Sequence, residues 1–558
     1  MQRDLSAMEG MLFDVLVVGG GINGTAAARD AARRGLVVGL VEKHDFGWGT
    51  TATSTRLIHG GLRYLEHFDF ALVREGLRER EALLRWAPHR VKPLPFITPI
   101  YKKSRRGPLA IRVGMYLYDL LSYDKSLPSH RWLSASEVLA LEPHLNPEGL
   151  RGGALYYDAQ VDLPERFCID HAREAASFGA RLANYAEVVE IALEQTPHRV
   201  TVVDHLTGKR HVLQARLVIN AGGPWADAVM PQGGVQGRGE GAREQVARRL
   251  RKTQGIHVVV DAFTRHAIVQ LAERDGRVFF VVPWRGYALI GTTDTDYDGD
   301  PGEARASAQD VAYLIDETRR YFPGVRMDPV YLTTAGVRPL VLRRPGESES
   351  QTSRRHLVLD SAPGKSWGIV TILGGKLTNH RVVAAEAVDI ACRKLQKGTG
   401  TKAPDGPFFG GDVDVKKDLS SWKKEYEALS LSDETWEQLA FLYGSRTPEV
   451  LELCRQDPEL ARPLSPGSEV IAAQLVYAVE KEMCRRSPDF MLRRSLMGLT
   501  PGGMARAADV RKMMAELLSW DDAELQQDLE QTDREAAKIG VPKATSALDA
   551  EGRKEASP

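Results

Sequence analysis

The chain contains 558 residues, which is long enough for two or three domains with sizeable buried cores. Lys and Arg together number 74, as do Asp and Glu, so no overall field attracts nucleic acid and any anion must be bound by a local cluster. The four cysteines lie far apart without a CxxC pair, which argues against a zinc site or a disulfide framework and indicates a cytoplasmic protein. No run of about 18 uncharged apolar residues occurs, so neither a membrane span nor a secretory signal is predicted.

The first strong signal in the chain is a dinucleotide-binding pattern at Phe13–Lys43, which reads FDVLVVGGGINGTAAARDAARRGLVVGLVEK. An apolar strand, a GxGxxG turn, an alanine-rich helix and a second strand ending in an acid make a complete βαβ unit. Gly19 permits the tight turn, Gly21 lets the backbone approach a pyrophosphate, and Gly24 allows close packing of helix and strand. Glu42 can accept hydrogen bonds from an adenosine ribose. The segment therefore predicts a bound dinucleotide.

Three further segments favour FAD over NAD. Gly49–Thr55 (GTTATST) carries small hydroxyl side chains suited to a pyrophosphate and a ribityl chain that extend past the first turn. Leu217–Gly223 (LVINAGG) and Ile372–Thr378 (ILGGKLT) bring small residues to the ends of apolar strands, as a flavin that crosses several strand ends requires. With Leu57–Glu66 (LIHGGLRYLE) added, the predicted cofactor contacts beyond the first motif are Thr50, Thr51, Ser54, His59, Gly60, Ala221, Gly222, Gly374, Gly375, Lys376, Leu377 and Thr378.

Five short motifs occur in a set order: LIHGGLRYLE, NAGGPWAD, VPWRGYALIGTTD, AGVRPL and GGKLT. From about Asp14 to Arg381 they resemble the FAD-dependent glycerol-3-phosphate dehydrogenases, and Glu480–Arg494 in the C-terminal region is also similar. The resemblance implies oxidation of sn-glycerol 3-phosphate to dihydroxyacetone phosphate, with electrons passed from reduced FAD to a membrane quinone. Two alternatives stay open: a glycerophosphate oxidase that uses oxygen, and a noncatalytic flavoprotein interaction module. A homodimer is one of the oligomeric states left open.

A phosphate dianion calls for several cationic donors, and an arginine can bind two of its oxygens through a rigid fork. The residues assigned to the substrate are Arg63, Tyr64, Arg338, Arg355 and Lys376. Arg63 has an alternative as the ion-pair partner of Glu66, and a shift of one residue would replace Arg355 by Arg354. Lys376 can stabilise either the phosphate or the negative charge of reduced flavin.

Oxidation at C2 requires a group that accepts the hydroxyl proton, and two histidines are candidates. His257 lies in GIHVVV, which enters an apolar strand expected in the sheet of a substrate domain, on the side of the carbinol opposite the flavin. His59 precedes two glycines and is the second choice. Together with Arg338, these are the residues assigned to catalysis.

A metal site is not predicted. Asp294–Gly299 (DTDYDG) matches the start of a calcium loop, but the twelfth position is Arg305 where a bidentate acid is needed. The segment is predicted to be a turn, with Thr292 and Thr293 near the site.

These landmarks predict an α/β fold with a discontinuous Rossmann-like FAD-binding domain, a sheet-containing substrate domain and a helical C-terminal domain. Gly233–Gly241 (GGVQGRGEG) is predicted as a flexible insertion and residues 397–407 (KGTGTKAPDGP) as a linker. The predicted boundaries are 11–85 with 150–225 and 335–395 for the FAD-binding domain, 86–149 with 226–334 for the substrate domain, 410–540 for the helical domain and 541–558 for a disordered tail.

A basic cluster joins an amphipathic segment at Lys102–Leu121, which reads KKSRRGPLAIRVGMYLYDLL. Such a segment can lie on an anionic membrane surface, and its alternative is a surface loop followed by a helix that packs on the protein. The use of a quinone implied by the resemblance favours peripheral attachment at the inner face of the cell membrane.

Overall fold

The computed structural model describes residues 1–104, 107–193, 196–230, 249–342, 355–398 and 406–542. Five expectations lie wholly or partly outside these residues: residues 105 and 106 of the basic cluster, the insertion at Gly233–Gly241, Arg354 as an alternative ligand, residues 399–405 of the linker and residues 543–558 of the tail. The strands, in chain order, are β1 (Leu12–Val18), β2 (Val38–Val41), β3 (Leu57–Ile58), β4 (Val91–Tyr101), β5 (Arg131–Ser134), β6 (Leu150–Val161), β7 (Arg181–Ala183), β8 (Ala186–Ala192), β9 (His198–Asp204), β10 (Arg210–Asn220), β11 (Leu250–Asp261), β12 (Ala267–Leu271), β13 (Val278–Trp284), β14 (Tyr287–Gly291), β15 (Thr295–Asp296), β16 (Leu332–Val341), β17 (Leu357–Asp360) and β18 (Ile369–Leu373).

The first sheet contains the predicted dinucleotide-binding unit. Its parallel strands lie in the order β7-β2-β1-β10-β18, and Val15 on β1 pairs with Val38 and with Leu217. All three side chains are buried, because both faces of a parallel sheet are covered. Antiparallel β17 adds an edge to β18, and β8 and β9 extend the sheet from the first half of β10. The carboxyl ends of β1, β10 and β18 therefore lie side by side.

Fifteen α-helices lie in the described part of the chain. They are α1 (Leu5–Glu9), α2 (Ile22–Arg33), α3 (Phe70–Trp86), α4 (Pro108–Leu121), α5 (Ala135–Leu141), α6 (Glu165–Ser177), α7 (Ala308–Tyr321), α8 (His380–Leu395), α9 (Val415–Glu425), α10 (Asp433–Tyr443), α11 (Thr447–Gln456), α12 (Ala472–Lys481), α13 (Ser487–Asp489), α14 (Ala507–Leu518) and α15 (Asp522–Ile539). Alanines at 26, 27, 28 and 31 leave α2 slender enough to pack against both α6 and α8.

The second sheet runs β15-β11-β14-β13-β12-β4-β6-β3, with β16 also paired to β11 and β5 to β6. Three of its strands lie in ranges that the predicted boundaries give to the FAD-binding domain: β3, β6 and most of β16. These strands nevertheless belong to the second sheet, because β6 pairs with β3 and β4, and β16 pairs with β11. A strand's own alternation shows which residues face a core, but not which sheet supplies its partner. The domain boundaries stay a prediction.

The helices from α9 onward form the C-terminal region, and buried ion pairs attach it to the first sheet's domain. Asp45, which follows β2, accepts from Arg493 at 2.6 Å and from Arg494 at 2.5 and 2.9 Å. All three side chains are almost completely buried. The predicted fold class, with its Rossmann-like domain, second sheet and helical C-terminal domain, is confirmed by this architecture.

Membrane-spanning helices were sought among the described residues. Every helix in those ranges is too short or too polar to cross a bilayer.

Candidate active site

A cavity of about 640 Å³ lies at the carboxyl ends of β1, β10 and β18. Ligands of open α/β sheets bind at this edge, because loops from several parallel strands meet there. The predicted site residues that line the cavity are Gly19, Gly21, Glu42, Thr50, Thr51, Ser54, His59, Tyr64, Ala221, Gly222, His257, Arg338, Arg355, Gly374, Gly375, Lys376, Leu377 and Thr378. Residues separated by more than 300 positions in the chain are thus brought to one site.

The glycine motif has the backbone geometry of a dinucleotide turn. Gly19 has a φ of +107°, and a Cβ on it would lie 2.6 Å from the Ala221 carbonyl oxygen. A Cβ on Gly24 would overlap the Gly19 carbonyl, so helix and strand could not pack as they do. At Gly21, in contrast, a Cβ would meet only Thr51 Oγ1, at 3.7 Å, because this position faces the cavity. The N-terminus of α2 is thereby open to a pyrophosphate.

Glu42 ends β2 and is held by backbone amides. Its carboxylate accepts from Gly20 N at 2.5 Å and from His44 N at 2.8 Å. Burial raises the pKa of this carboxyl, although both amide hydrogen bonds oppose the shift. The carboxylate is therefore oriented at the rim where a ribose would meet it.

Some hydroxyl side chains of residues 50–55 form hydrogen bonds within the protein, and others leave polar atoms available to a ligand. Thr50 donates to the Val337 carbonyl at 2.7 Å, and Thr51 Oγ1 accepts from Ile22 N at 3.2 Å. Ser54 Oγ is buried at the cavity and finds no hydrogen-bond partner among the described residues, and the same holds for Asn23 Oδ1. Buried polar atoms are normally paired, so these two fit a polar ligand such as FAD in the cavity.

Three predicted site residues do not line this cavity: Gly24, Gly60 and Arg63. Gly24 packs beneath the turn, as its predicted role requires. Gly60 lies behind the cavity wall: its amide donates to Tyr118 Oη at 3.0 Å, and a Cβ there would lie 2.6 Å from Leu77 Cγ. Arg63 lines a neighbouring, larger cavity, because successive residues of the 3₁₀ helix Leu62–His67 point in different directions.

His257 lies on β11, and two threonine hydroxyls bracket its ring. Nε2 is 3.0 Å from Thr55 Oγ1, and Nδ1 is 3.1 Å from Thr334 Oγ1. Burial, together with the Arg338 cation, lowers the pKa of His257 to about 3. The imidazole is therefore neutral at neutral pH, and the lone pair of its unprotonated nitrogen can accept a proton. A Cβ on Gly291, the register partner of His257, would overlap the ring.

Arg338 extends from β16 across β11 into the cavity. Its guanidinium donates to Asp294 at 3.1 Å, to the Thr293 carbonyl at 3.2 Å and to Thr292 Oγ1. A Cβ on Gly255 would overlap the guanidinium. The predicted turn at Asp294–Gly299 thus has a different structure and role: it includes the short strand β15, and it supplies the carboxylate that orients Arg338.

Lys376 and Tyr64 are in contact at the cavity. The lysine Nζ lies 3.8 Å from the centre of the Tyr64 ring, a cation–π contact. The His59 amide donates to Thr378 Oγ1 at 3.1 Å, which joins the LIHGG and GGKLT segments. Arg355 lines the same cavity with an exposed side chain.

Several residues at the site were not individually predicted, although two of them belong to the predicted hydroxyl run at 49–55: Asn23, Thr53, Thr55, Gly255, Gly336 and Asp294. Gly255 and Gly336 lie opposite each other in register, and a Cβ on Gly336 would overlap Thr53. A glycine inside a strand often marks the close approach of another group, so both glycines carried a signal. No local signal distinguishes Thr55 or Asn23 from neighbouring small polar residues.

The sheet, the glycine turn and the cavity define an FAD-dependent oxidoreductase. The family described as "FAD dependent oxidoreductase" matches residues 14–381, and the family described as "C-terminal domain of alpha-glycerophosphate oxidase" matches residues 403–525. A glycerol-3-phosphate dehydrogenase from Synechocystis sp. is 37% identical over 538 residues, 93% of this chain and 95% of that protein. The chain belongs to the family of FAD-dependent glycerol-3-phosphate dehydrogenases.

Two other relatives agree. The aerobic glycerol-3-phosphate dehydrogenase of Staphylococcus aureus is 33% identical over 549 residues, 94% of this chain and 95% of that protein. The crystal structure of the glycerol-3-phosphate dehydrogenase from Bacillus halodurans complexed with FAD superposes with a TM-score of 0.76 at 28% identity, covering 97% of this chain and 98% of that one. The predictions of the family and of FAD as the cofactor are confirmed.

Proposed function

We propose that this protein oxidises sn-glycerol 3-phosphate to dihydroxyacetone phosphate. The observation that carries the proposal is that Arg338, Lys376 and the neutral His257 line the same cavity as the dinucleotide turn. Two cations suit a phosphate dianion, and a neutral imidazole suits a hydroxyl proton. The names of the relatives support the same substrate.

FAD, when bound, would supply the hydride acceptor at N5. In the proposed reaction the substrate's C2 loses that hydride, its hydroxyl proton passes to a nitrogen of His257, and the C2–O bond becomes a carbonyl. Arg338 and Lys376 hold the phosphate, so that C2 is presented at a fixed position. Tyr64, with its ring beside Lys376, is proposed as a further phosphate donor.

The proposed cofactor contacts follow the cavity. Gly19, Gly21 and the N-terminus of α2 hold the pyrophosphate, and Glu42 holds the ribose. Ser54 and Asn23 supply polar atoms that the protein itself leaves open. The GGKLT segment, with Lys376, lies against the flavin.

A quinone is the proposed electron acceptor. A second cavity of about 2960 Å³ adjoins the first, and Thr55, His59, Tyr64 and Arg338 line both. Its walls include Leu62, Leu65, Phe96, Leu109, Val113 and Phe280. Charged residues line this cavity too, but its apolar residues include Leu57, which also lines the first cavity, and Leu109 and Val113 of α4. Such residues suit a large apolar acceptor better than dioxygen, which needs no such surface.

The acceptor and the substrate can be tested in one experiment. The holoenzyme is mixed anaerobically with sn-glycerol 3-phosphate, and bleaching of the flavin absorbance is followed. We expect rapid reduction, then fast reoxidation by a short-chain quinone and slow reoxidation by air-saturated buffer. Fast reoxidation by oxygen with peroxide formation would assign the protein to the glycerophosphate oxidases instead. Failure of glycerol 3-phosphate and other small polyol phosphates to reduce the flavin would favour the noncatalytic module.

Peripheral membrane contact through α4 is part of the proposal. This helix carries four large apolar side chains that are more than half exposed: Leu109 (75%), Val113 (52%), Tyr116 (64%) and Leu120 (67%). Only Met115 and Tyr118 of the helix are buried, so its outer face is covered by nothing in the described chain. An apolar helix face beside Lys102 and Lys103 suits the interface of an anionic bilayer, which would place the enzyme at the inner face of the membrane.

Replacing both Leu109 and Leu120 by glutamate is expected to abolish this contact. Each leucine contributes about 2 kcal/mol when buried, and each new carboxylate is repelled by anionic lipid, so partitioning should fall more than about a hundredfold. Flotation with phosphatidylglycerol vesicles measures it. Leu517→Glu, at a 38% exposed leucine of α14, is the control and should float like the wild type. Equal flotation of both variants would show that α4 does not contact the membrane.

A further inference from the structure

Tyr118 lies on the buried side of the same helix whose outer face is apolar. Its side chain is 3% exposed, whereas Tyr116, two residues earlier, is 64% exposed. The hydroxyl donates to both carboxylate oxygens of Asp158, at 2.9 and 2.8 Å, and accepts from the amide of Gly60 at 3.0 Å. One hydroxyl therefore joins α4, β6 and the LIHGG segment.

Asp158 is itself fixed, so Tyr118 has a rigid partner. Arg80 of α3 donates to Asp158 Oδ1 at 2.7 Å, and both side chains are buried. Burial raises the pKa of the Tyr118 hydroxyl well above its usual value, so it stays protonated and able to donate. The direction of both hydrogen bonds follows: the Tyr118 hydroxyl donates to Asp158 and accepts from the Gly60 amide.

The LIHGG backbone is held from two sides. On the side of the GGKLT segment, the His59 amide donates to Thr378 Oγ1 at 3.1 Å. Away from it, Gly60 packs so closely that a Cβ would lie 2.6 Å from Leu77 Cγ and 2.8 Å from Tyr118 Oη. His59 and Tyr64, which flank the two glycines, both line the substrate cavity. A shift of the Gly60 peptide would therefore move residues at the site.

We propose that Tyr118 is a positioning residue that links α4 to the site: its hydrogen bond to the Gly60 amide sets the geometry in which the flavin is reduced, and contact of α4 with a bilayer acts on that geometry through it. The inference rests on the proposed oxidation of glycerol 3-phosphate and on the proposed membrane contact. The role is distinct from proton transfer or phosphate binding, because Tyr118 contacts neither cavity-lining His257 nor Arg338.

Tyr118→Phe tests the link, because it keeps the ring and removes only the hydroxyl. At saturating glycerol 3-phosphate, anaerobic flavin reduction is expected to slow about fivefold, as the loss of one positioned hydrogen bond implies, with the substrate concentration at half-maximal rate unchanged. Hydrogen exchange of residues 57–66 is expected to quicken. In the wild type, phosphatidylglycerol vesicles are expected to change exchange in this segment, and in Tyr118→Phe they are expected not to.

FAD content and the melting temperature show that the variant is folded. Tyr331→Phe is the matched control, because it removes an exposed tyrosine hydroxyl that donates to Asp261 at 2.9 Å. Wild-type reduction rate and wild-type exchange in Tyr118→Phe would overturn the proposal, as would a vesicle response of residues 57–66 that survives the substitution. If glycerol 3-phosphate fails to reduce the wild-type flavin, the proposed function fails. Hydrogen exchange in buffer still decides whether Tyr118 holds Gly60.

Discussion

Replacing His257 by glutamine is expected to slow anaerobic flavin reduction by about 10²- to 10⁴-fold at saturating glycerol 3-phosphate, with FAD still bound. Glutamine keeps a polar group near Thr55, 3.0 Å from the present Nε2, but it cannot accept the C2 hydroxyl proton at neutral pH. Stopped-flow absorbance of the flavin measures the step directly. Because a fully buried side chain is changed, the melting temperature is recorded alongside.

The pH dependence of kcat/KM provides a second test of His257. Burial and the Arg338 cation hold its pKa at about 3 in the free enzyme, so its neutral form persists from neutral pH down to about pH 4. A fall of kcat/KM on acidification near pH 6 is then expected from the substrate phosphate, whose second pKa is about 6, and not from this imidazole. His59→Gln is the matched variant at the other candidate. A large loss there, with wild-type reduction in His257→Gln, would transfer the role of proton acceptor to His59.

Replacing Arg338 by lysine is expected to reduce the efficiency of glycerol 3-phosphate oxidation by about 10- to 150-fold, which corresponds to about 1.5–3 kcal/mol for a charge-assisted hydrogen bond. Lysine keeps the charge but loses the planar fork that Asp294, Thr292 and Thr293 orient. Glycerol, which lacks the phosphate, should already be a poor substrate and should lose much less. The reductive half-reaction with both compounds measures the difference.

Two companion variants sharpen the test of Arg338. Gly255→Ala places a methyl group where the guanidinium now lies, so it should mimic the loss while Arg338 keeps its charge. Arg251→Lys alters an arginine of the same sheet that pairs with Asp296 on the surface, and it should behave as the wild type. Equal fractional losses for glycerol and glycerol 3-phosphate in Arg338→Lys would mean that Arg338 supports the flavin or the fold. Phosphate recognition would then rest on Arg63, Arg355 and Lys376.

Local signals sufficed for the cofactor side of the site. Gly19, Gly21 and Gly24 have spacings that only a tight strand-to-helix turn explains, and Glu42 follows at the end of the second strand. The order of the five motifs was enough to identify the family, because their combination is far more specific than any single motif. These features depend on neighbours in the chain, so the sequence by itself determined them.

The tertiary structure decided which side chains meet. β6 and β16 join the second sheet because of their partners, which lie far away in the chain. The same pairing brings Asp294 to Arg338 and Thr55 to His257, and no spacing in the sequence indicates either contact. The burial that lowers the pKa of His257 arises only when the strands and the threonines close around it. Periodicity and motifs determine local conformation, whereas long-range pairing and desolvation determine the chemistry of this site.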